Sequence, residues 1–376
     1  MTKARELADL IANVNHGSSL ANKNIIINGN MSVAQRSASA VAVSGASYHS
    51  VDRFKTWHDT DGAFTVEQST AVPDGFTKSL KAQVTTADGT IGSAQYASIS
   101  QLIEGQNMQS FAYGTSSAKT ITLSFHVRSS KTGSYSITIY NGARSATSSY
   151  LFNKSYTIDS ANTWEKKTIT IAPDSQIKAS AGAIGNDNGI GFYLFWNLSG
   201  GSNQAGATDN TWSSNTSHYH TGSQVNWMDS TSNDFYITGV QLEIGEKATE
   251  FSHEPYETTL AKCQRYYLRR NSESGQVYTY FGAGHVSNAG AGRVYTTFPV
   301  QMNHVPVLET SGTASDYTLF NVDTDALSSV PTITNASLNE TGITCSDSGN
   351  NFTAGRGCNL IGNNTTDAFL AFESEL

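Results

Sequence analysis

Hydrophobic and polar residues alternate with a period of two over much of the chain, which is the pattern of half-buried β-strands. Apolar residues occupy every second position in 121–127 and 135–139. In 192–198, Phe192, Leu194, Trp196 and Leu198 form an apolar face, and Tyr193 and Phe195 lie on the opposite face. Clusters of Gly, Asn, Asp and Ser separate such segments, as turns do. The pattern predicts an all-β fold, with an antiparallel jelly-roll sandwich over residues 23–255.

The strand that closes this sandwich carries a shift in its pattern. Phe235 and Ile237 share one face, and after Gly239 the residues Leu242 and Ile244 share one face with the register moved by one residue. An extra residue in one strand flips the alternation, and glycine tolerates the unusual dihedral angles that it needs. We therefore predict a β-bulge at Gly239.

A second and smaller β domain is predicted after a turn-rich segment that ends at Pro255. Proline cannot donate a hydrogen bond to a β-ladder, so it marks the boundary well. Domain 256–376 is predicted to contain strands at 276–280, 293–300, 305–309, 317–320, 341–345 and 368–372. No fixed-period repeat is visible, so the sequence supports neither a β-helix nor a propeller.

The N-terminal residues 1–22 are predicted to form a short helix, over 2–14, followed by a linker. Leu7, Ile11 and Val14 fall at heptad spacing. Isolated helices below roughly 12–15 residues are marginal in water, so a partner must cover this stripe. It either packs on its own domain or, as we favour, anchors the chain to another protein or joins three copies in a homotrimer.

Composition and charge exclude several classes of function. Charged residues make up 14% of the chain, against roughly 25% in typical globular proteins. The net charge is −8, which disfavours nucleic-acid binding. No stretch approaches the ~20 apolar residues of a membrane span, so no membrane insertion is expected. The 3 cysteines are expected to be buried thiols, with a Cys345–Cys358 disulfide as the alternative.

Several pieces of the sequence resemble bacteriophage tail-fibre and virion-appendage proteins. The pieces are GVQLEIG at 239–245, ATEF at 248–251, CQRYY at 263–267, NGNM at 28–31 with Gln35 and Arg36, DRF at 52–54 with Trp57, and the ending at 369–376. The resemblance implies a virion protein with a jelly roll like that of carbohydrate-binding modules and a C-terminal β knob. It also implies that the N-terminal helix binds other virion proteins. Such a protein is expected to assemble in the host cytoplasm and to be released by lysis.

Enzymatic chemistry finds little support in the sequence. Hydrolysis of a glycan needs two carboxylates across a cleft, roughly 5–9.5 Å apart. The candidate pairs are Asp59 with Asp61 and Glu243 with Glu246, but 59–62 is better explained as a hairpin turn. We therefore expect no enzyme activity.

The segment 199–234 is the longest predicted loop, and long loops in compact domains are often functional. Trp212, Tyr219 and Trp227 lie in it. A flat aromatic face can stack on a sugar ring while neighbouring Asn, Ser and Thr side chains supply hydrogen bonds. Alternatively, these side chains anchor the loop on the sandwich. The other tryptophans are predicted to lie in the core: Trp57, Trp164 and Trp196.

The same loop offers two candidate metal sites. His218 and His220 point to the same side of an extended segment, as two nitrogen ligands would, although a solvated loop explains them as well. Asp229, Asn233 and Asp234 supply the hard oxygen ligands that calcium prefers. A structural calcium or another metal ion is therefore a candidate, and no other cofactor is expected.

Taken together, these patterns predict a non-enzymatic phage appendage that adheres to host surface polysaccharide. Many weak contacts would be multiplied by avidity across copies. Two alternatives stay open. One is a purely structural virion component, such as a head fibre, collar or adaptor. The other is a polysaccharide depolymerase.

Overall fold

A computed structural model describes residues 23–142, 149–214, 217–320 and 326–376. The predicted N-terminal helix, with Leu7, Ile11 and Val14, lies outside the described residues. The chain divides into two compact units, the first extending to Thr259 and the second from Leu260 to Glu375. Among the described residues, no helix is both long and apolar enough to cross a membrane.

The first unit contains two antiparallel sheets. Sheet I has the spatial order β1-β4-β5-β13-β7-β10, and sheet II has the order β12-β9-β8-β11-β6-β3-β2. The strands are β1 (Val41–Ala42), β2 (Ala46–Tyr48), β3 (Phe54–Asp59), β4 (Ala63–Ser69), β5 (Ser79–Thr86), β6 (Tyr96–Glu104), β7 (Ile121–Ser129), β8 (Gly133–Asn141), β9 (Tyr150–Ile158), β10 (Glu165–Ile171), β11 (Ile190–Gly200), β12 (Thr211–Ser213) and β13 (Asp234–Ile244). A short helix, α1 (Ser175–Lys178), precedes β11.

The two sheets pack face to face around one hydrophobic core. Most connections cross from one sheet to the other, as in a jelly roll, and β13 consequently lies between β5 and β7. Inward residues of both sheets meet in the core, where the Phe125 and Trp196 rings lie 5.9 Å apart. The predicted all-β jelly-roll sandwich is confirmed. The turn at 59–62, however, joins β3 of sheet II to β4 of sheet I, so the prediction of a hairpin there is wrong.

The β-bulge predicted at Gly239 is present. The register between β13 and β7 shifts between Thr238 and Gln241. Gly239 has a φ of +61°, and a Cβ there would lie 2.6 Å from a ring carbon of Phe76 and 2.8 Å from Nδ1 of His126. Both the dihedral angle and the close approach therefore favour glycine.

The residues around Asn28 contact both the segment around Asp52 and strand β13. Asn28 Nδ2 donates to the Asp52 carbonyl at 2.9 Å. The Asp52 carboxylate accepts from the Gln35 backbone nitrogen at 2.8 Å and from its Nε2 at 2.5 Å. Val240 N donates to Gly29 O at 2.9 Å. These residues fix the start of the first unit against β13.

The second unit begins within α2 (Tyr256–Gln264), a helix that the sequence pattern did not predict, and contains two further antiparallel sheets. Sheet III has the order β14-β22-β17, and sheet IV has the order β18-β21-β15-β16-β20-β19. The strands are β14 (Tyr267–Asn271), β15 (Tyr280–Asn288), β16 (Ala291–Thr297), β17 (Val307–Thr310), β18 (Tyr317–Phe320), β19 (Thr332–Ala336), β20 (Glu340–Ser346), β21 (Gly357–Gly362) and β22 (Phe369–Glu373). The predicted strand at 276–280 is wrong, because β15 only begins at Tyr280.

The second unit has its own core, in which Cys345 and Cys358 are buried as free thiols. The expectation of free thiols rather than a Cys345–Cys358 disulfide is thus confirmed. Cys263 is also buried. Burial raises the pKa of the Cys345 thiol, and the neighbouring Cys358 adds to this shift.

Candidate functional site

Two of the three aromatic residues predicted to contact sugar lie in the core instead. Trp212 is on β12 at the edge of sheet II, is 3% exposed, and donates from Nε1 to Ala172 O at 3.1 Å. Trp227 is fully buried, and its ring lies edge-on to Phe64 at 5.5 Å. The loop folds back on the sandwich, because burying a large aromatic side chain there removes much apolar surface from water and stabilises the fold. The prediction of sugar contact is therefore wrong for both, and their role is to anchor the loop.

Tyr219 is placed differently, because its ring is half-buried and packs on the outer face of sheet II. The edge-to-face distance to the Phe195 ring is 5.9 Å. Its backbone is held from both sides: Tyr219 N donates to Gln204 O at 2.8 Å. Its carbonyl accepts from Asn197 Nδ2 at 3.0 Å and lies 2.5 Å from Thr138 Oγ1. The sheet therefore fixes the position of this ring.

The histidine pair does not form the predicted metal site. His220 is buried, with Nδ1 2.7 Å from Thr221 O and Nε2 3.3 Å from Gly201 O. A ring nitrogen bound to metal must offer a lone pair, whereas one that faces a carbonyl is placed to donate a hydrogen bond. His218 is only half-buried, and its carbonyl accepts from Asn153 Nδ2 at 3.1 Å. Local backbone contacts account for the orientation of His220.

The predicted calcium ligands are also used within the protein. Asp229 pairs with Lys131 at 2.5 Å and accepts from Asn233 Nδ2 at 2.7 Å. Asp234 Oδ1 accepts from Ser130 N at 2.9 Å. Among the described residues, no group of three or more His, Cys, Asp or Glu is placed to hold a metal ion. These contacts engage both carboxylates within the protein, and calcium binding by them stays a prediction.

An open pocket on the outer face of sheet II brings Tyr219 together with residues that the loop prediction missed. The pocket is shallow and open, with about 320 Å³ of space that includes solvent at its mouth. It is lined by Trp57, Tyr96, Ser98, Phe195, Asn197, Gln204 and Tyr219. None of these described lining residues is charged.

The register of three neighbouring strands builds the floor of this pocket. Trp57 on β3 lies opposite Ser98 on β6, which lies opposite Asn197 on β11. Ser98 Oγ donates to Asn197 Oδ1 at 3.0 Å, and Asn197 Nδ2 donates to Thr138 Oγ1 at 2.8 Å. These hydrogen bonds hold the polar groups in fixed positions between aromatic walls.

Trp57 is half-buried on this face rather than in the core, so its predicted core position is wrong. Its Nε1 donates to Ser100 Oγ at 2.8 Å. The ring centroid lies 5.7 Å from Phe195 and 6.5 Å from Tyr193. The Tyr193 and Phe195 rings are nearly parallel, at 4° and 5.8 Å. We call Trp57, Tyr193, Phe195 and Tyr219 the aromatic surface.

The other two tryptophans predicted to lie in the core differ from each other. Trp196 is fully buried there, as predicted. Trp164 is half-buried, and its ring packs edge-on to Tyr236 of β13 in sheet I at 6.1 Å. The core prediction is therefore wrong for Trp164.

No protein-family model matches this sequence, and no curated protein matches it either. Solved structures do resemble it. A sugar-binding protein described as putative, from Bacteroides thetaiotaomicron, is 11% identical with a TM-score of 0.32, over 59% of this chain and 100% of that one. The C-terminal family 22 carbohydrate binding module of Clostridium thermocellum Xyn10B is 13% identical with a TM-score of 0.30, over 61% of this chain and 99% of that one.

A third similar structure is the enzymatically active domain of tailspike protein 4 from bacteriophage CBA120. It is 12% identical with a TM-score of 0.29, over 59% of this chain. The chain spans only 22% of the length of that protein. TM-scores of this size transfer neither a ligand nor an activity to this chain.

Proposed function

We propose that this chain is a bacteriophage virion appendage that binds polysaccharide on the host surface through the pocket and the aromatic surface of sheet II. The observation that carries the proposal is the pocket itself. It combines the half-buried rings of Trp57, Tyr96 and Tyr219 with an uncharged polar lining, and such rings can stack on a sugar. The phage origin is supported by the sequence resemblance described above.

Binding without cleavage is the form of this proposal that the pocket chemistry supports. Glycoside hydrolysis generally uses two carboxylates that flank the scissile bond. The described residues lining the pocket include neither an aspartate nor a glutamate. We therefore assign the pocket a recognition role.

Trp57→Ala in the full chain tests the site directly. We expect its binding to host cells and to extracted surface polysaccharide to weaken by roughly 30-fold, the effect of losing an interface tryptophan worth about 2 kcal/mol. Trp164→Ala is the matched control, because Trp164 is also half-buried but packs on sheet I. Urea unfolding followed by tryptophan fluorescence checks that both variants fold.

The outcomes distinguish binding from a purely structural role. Loss of binding in Trp57→Ala but not in Trp164→Ala supports an adhesin. If the folded wild-type chain binds neither cells nor polysaccharide, the proposal fails and a structural virion component becomes the better explanation. If instead it shortens the polysaccharide on incubation, the non-enzymatic assignment is wrong.

Assembly as a homotrimer through the N-terminal helix is part of the same proposal and rests on the heptad positions Leu7, Ile11 and Val14. Light scattering of the full chain and of Ile11→Asp checks it. We expect a trimer for the wild type and a monomer for the variant. A wild-type monomer would contradict this assembly but leave the sugar site unaffected.

A further inference from the structure

Cationic side chains gather at one end of the aromatic surface. Lys55 Nζ lies 5.0 Å from the ring centroid of Trp57 and 5.5 Å from that of Tyr48. The guanidinium carbon of Arg36 lies 5.1 Å from the Tyr48 centroid, and that of Arg53 lies 6.0 Å from it. Three positive charges therefore surround one tyrosine ring beside the pocket.

The local sheet geometry explains this arrangement. Residues two apart on a strand point to the same face, so Lys55 and Trp57 of β3 share the outer face of sheet II. Tyr48 on the edge strand β2 is the cross-strand partner of Lys55. Arg53 is buried, and its Nη2 donates to Leu102 O at 2.7 Å, which fixes its guanidinium under the same edge.

The chemistry of this end differs from that of the chain as a whole. The protein carries a net charge of −8, yet Lys55 is held over two aromatic rings. The negative face of an aromatic ring attracts a cation. Asp59 also lies on this face of β3, but on the far side of Trp57 from Lys55 and opposite Tyr96.

We propose that the ligand of this site is an acidic glycan, whose anionic group lies against Lys55 while a neighbouring sugar ring stacks on Trp57. This rests on the proposed function and adds the substrate class. The shared chemistry is a carboxylate or phosphate oxygen that accepts a charge-assisted hydrogen bond from the ammonium group. A neutral glycan of the same backbone lacks that contact.

Matched polymers test the charge requirement on the full chain. Hyaluronan is compared with its carboxyl-reduced form, polygalacturonate with its methyl ester, and yeast phosphomannan with its dephosphorylated form, by biolayer interferometry at 0.05 and 0.5 M NaCl. We expect a charged member to bind at least about fivefold more tightly than its neutral partner at low salt, and the difference to shrink at high salt. The hyaluronan and polygalacturonate pairs test carboxylate, and the phosphomannan pair tests phosphate.

Variants then locate the contact. Lys55→Gln should lose the preference for the charged member, and Lys55→Arg should keep it, because only the first removes the charge. Lys81→Gln is the matched control, since Lys81 Nζ also lies over a ring, that of Tyr236 at 5.9 Å, but in sheet I. Urea midpoints confirm that each variant is folded.

The results separate this inference from the proposed function. Glycan binding that Trp57→Ala abolishes but that is equal for charged and neutral members, or unchanged in Lys55→Gln, overturns the acidic-ligand inference and leaves the sugar site intact. If neither these polymers nor extracted host polysaccharide bind the folded chain, both proposals are overturned together.

Discussion

Gly29→Ala should destabilise the first unit strongly, because position 29 lies directly against β13. A Cβ there would lie 2.1 Å from Val240 O, so one of the two segments has to move. Overpacking of this kind costs about 1–3 kcal/mol. The hydrogen bond from Val240 N to Gly29 O, 2.9 Å long, is worth about 1 kcal/mol more. We expect a total loss of about 2–4 kcal/mol in the free energy of unfolding.

Tryptophan fluorescence measures this loss in the first unit alone, since all 5 tryptophans lie between residues 57 and 227. With a urea dependence of about 3 kcal/mol per molar, the midpoint should fall by about 1 M. Gly89→Ala is the control, because a Cβ at that position meets nothing within 4 Å. A Gly29→Ala midpoint indistinguishable from that of Gly89→Ala would refute the close packing of Gly29 against β13.

Two further predictions concern titratable groups. Burial lowers the pKa of His126, and the positive charge of Lys166 lowers it further, while the negative charge of Glu250 opposes this shift. At a pH at which His126 of the unfolded chain takes up a proton, the imidazole of the folded protein therefore stays neutral. The free energy of unfolding should fall as the pH drops below about 6.5, and it should fall less steeply in His126→Gln. Urea midpoints at pH 7.5 and 5.5 measure this, and an equal change of midpoint in wild type and variant would contradict the role of His126. Burial also raises the pKa of Cys345, so we expect iodoacetamide at pH 8 to leave this thiol unmodified in the native protein and to alkylate it in urea. Mass spectrometry measures the modification. Rapid alkylation of the native protein would show that the thiol is accessible.

The sequence predicts the sandwich because its inward faces are locally encoded. Ile121, Leu123 and Phe125 alternate with polar residues and are all fully buried. The bulge at Gly239 is equally local, since one extra residue reverses the alternation on either side of it. Strand existence and inward face therefore follow from short windows of sequence.

The pocket depends on long-range pairing and could not be found in this way. Trp57, Ser98 and Asn197 are far apart in sequence and become neighbours only through the register of three strands. A local signal did exist for Trp57, since it shares its face with Lys55 and Asp59, two charged residues that belong outside. Tyr193 likewise lies opposite the apolar face of β11.

For the loop residues Trp212 and Trp227, the sequence pattern gave the wrong prediction of exposure. Both stand among Gly, Ser, Asn and Thr, so their surroundings in the sequence suggest exposure, yet both are buried in the core. Whether a long polar loop folds back on a sheet depends on the space left between distant strands. That space has no signature in the residues of the loop itself.

The hydrogen bonds between residues 24–29 and β13 also bear on how the first unit responds to tension. Asn24 Nδ2 donates to Val240 O at 3.0 Å, and Ile25 N donates to Leu242 O at 3.2 Å. The chain thus enters and leaves the jelly roll at adjacent points. We expect tension applied between residue 23 and residue 245 to load these few hydrogen bonds and their neighbours before the strands that carry the pocket. The sugar site proposed on sheet II would then keep its shape under such tension.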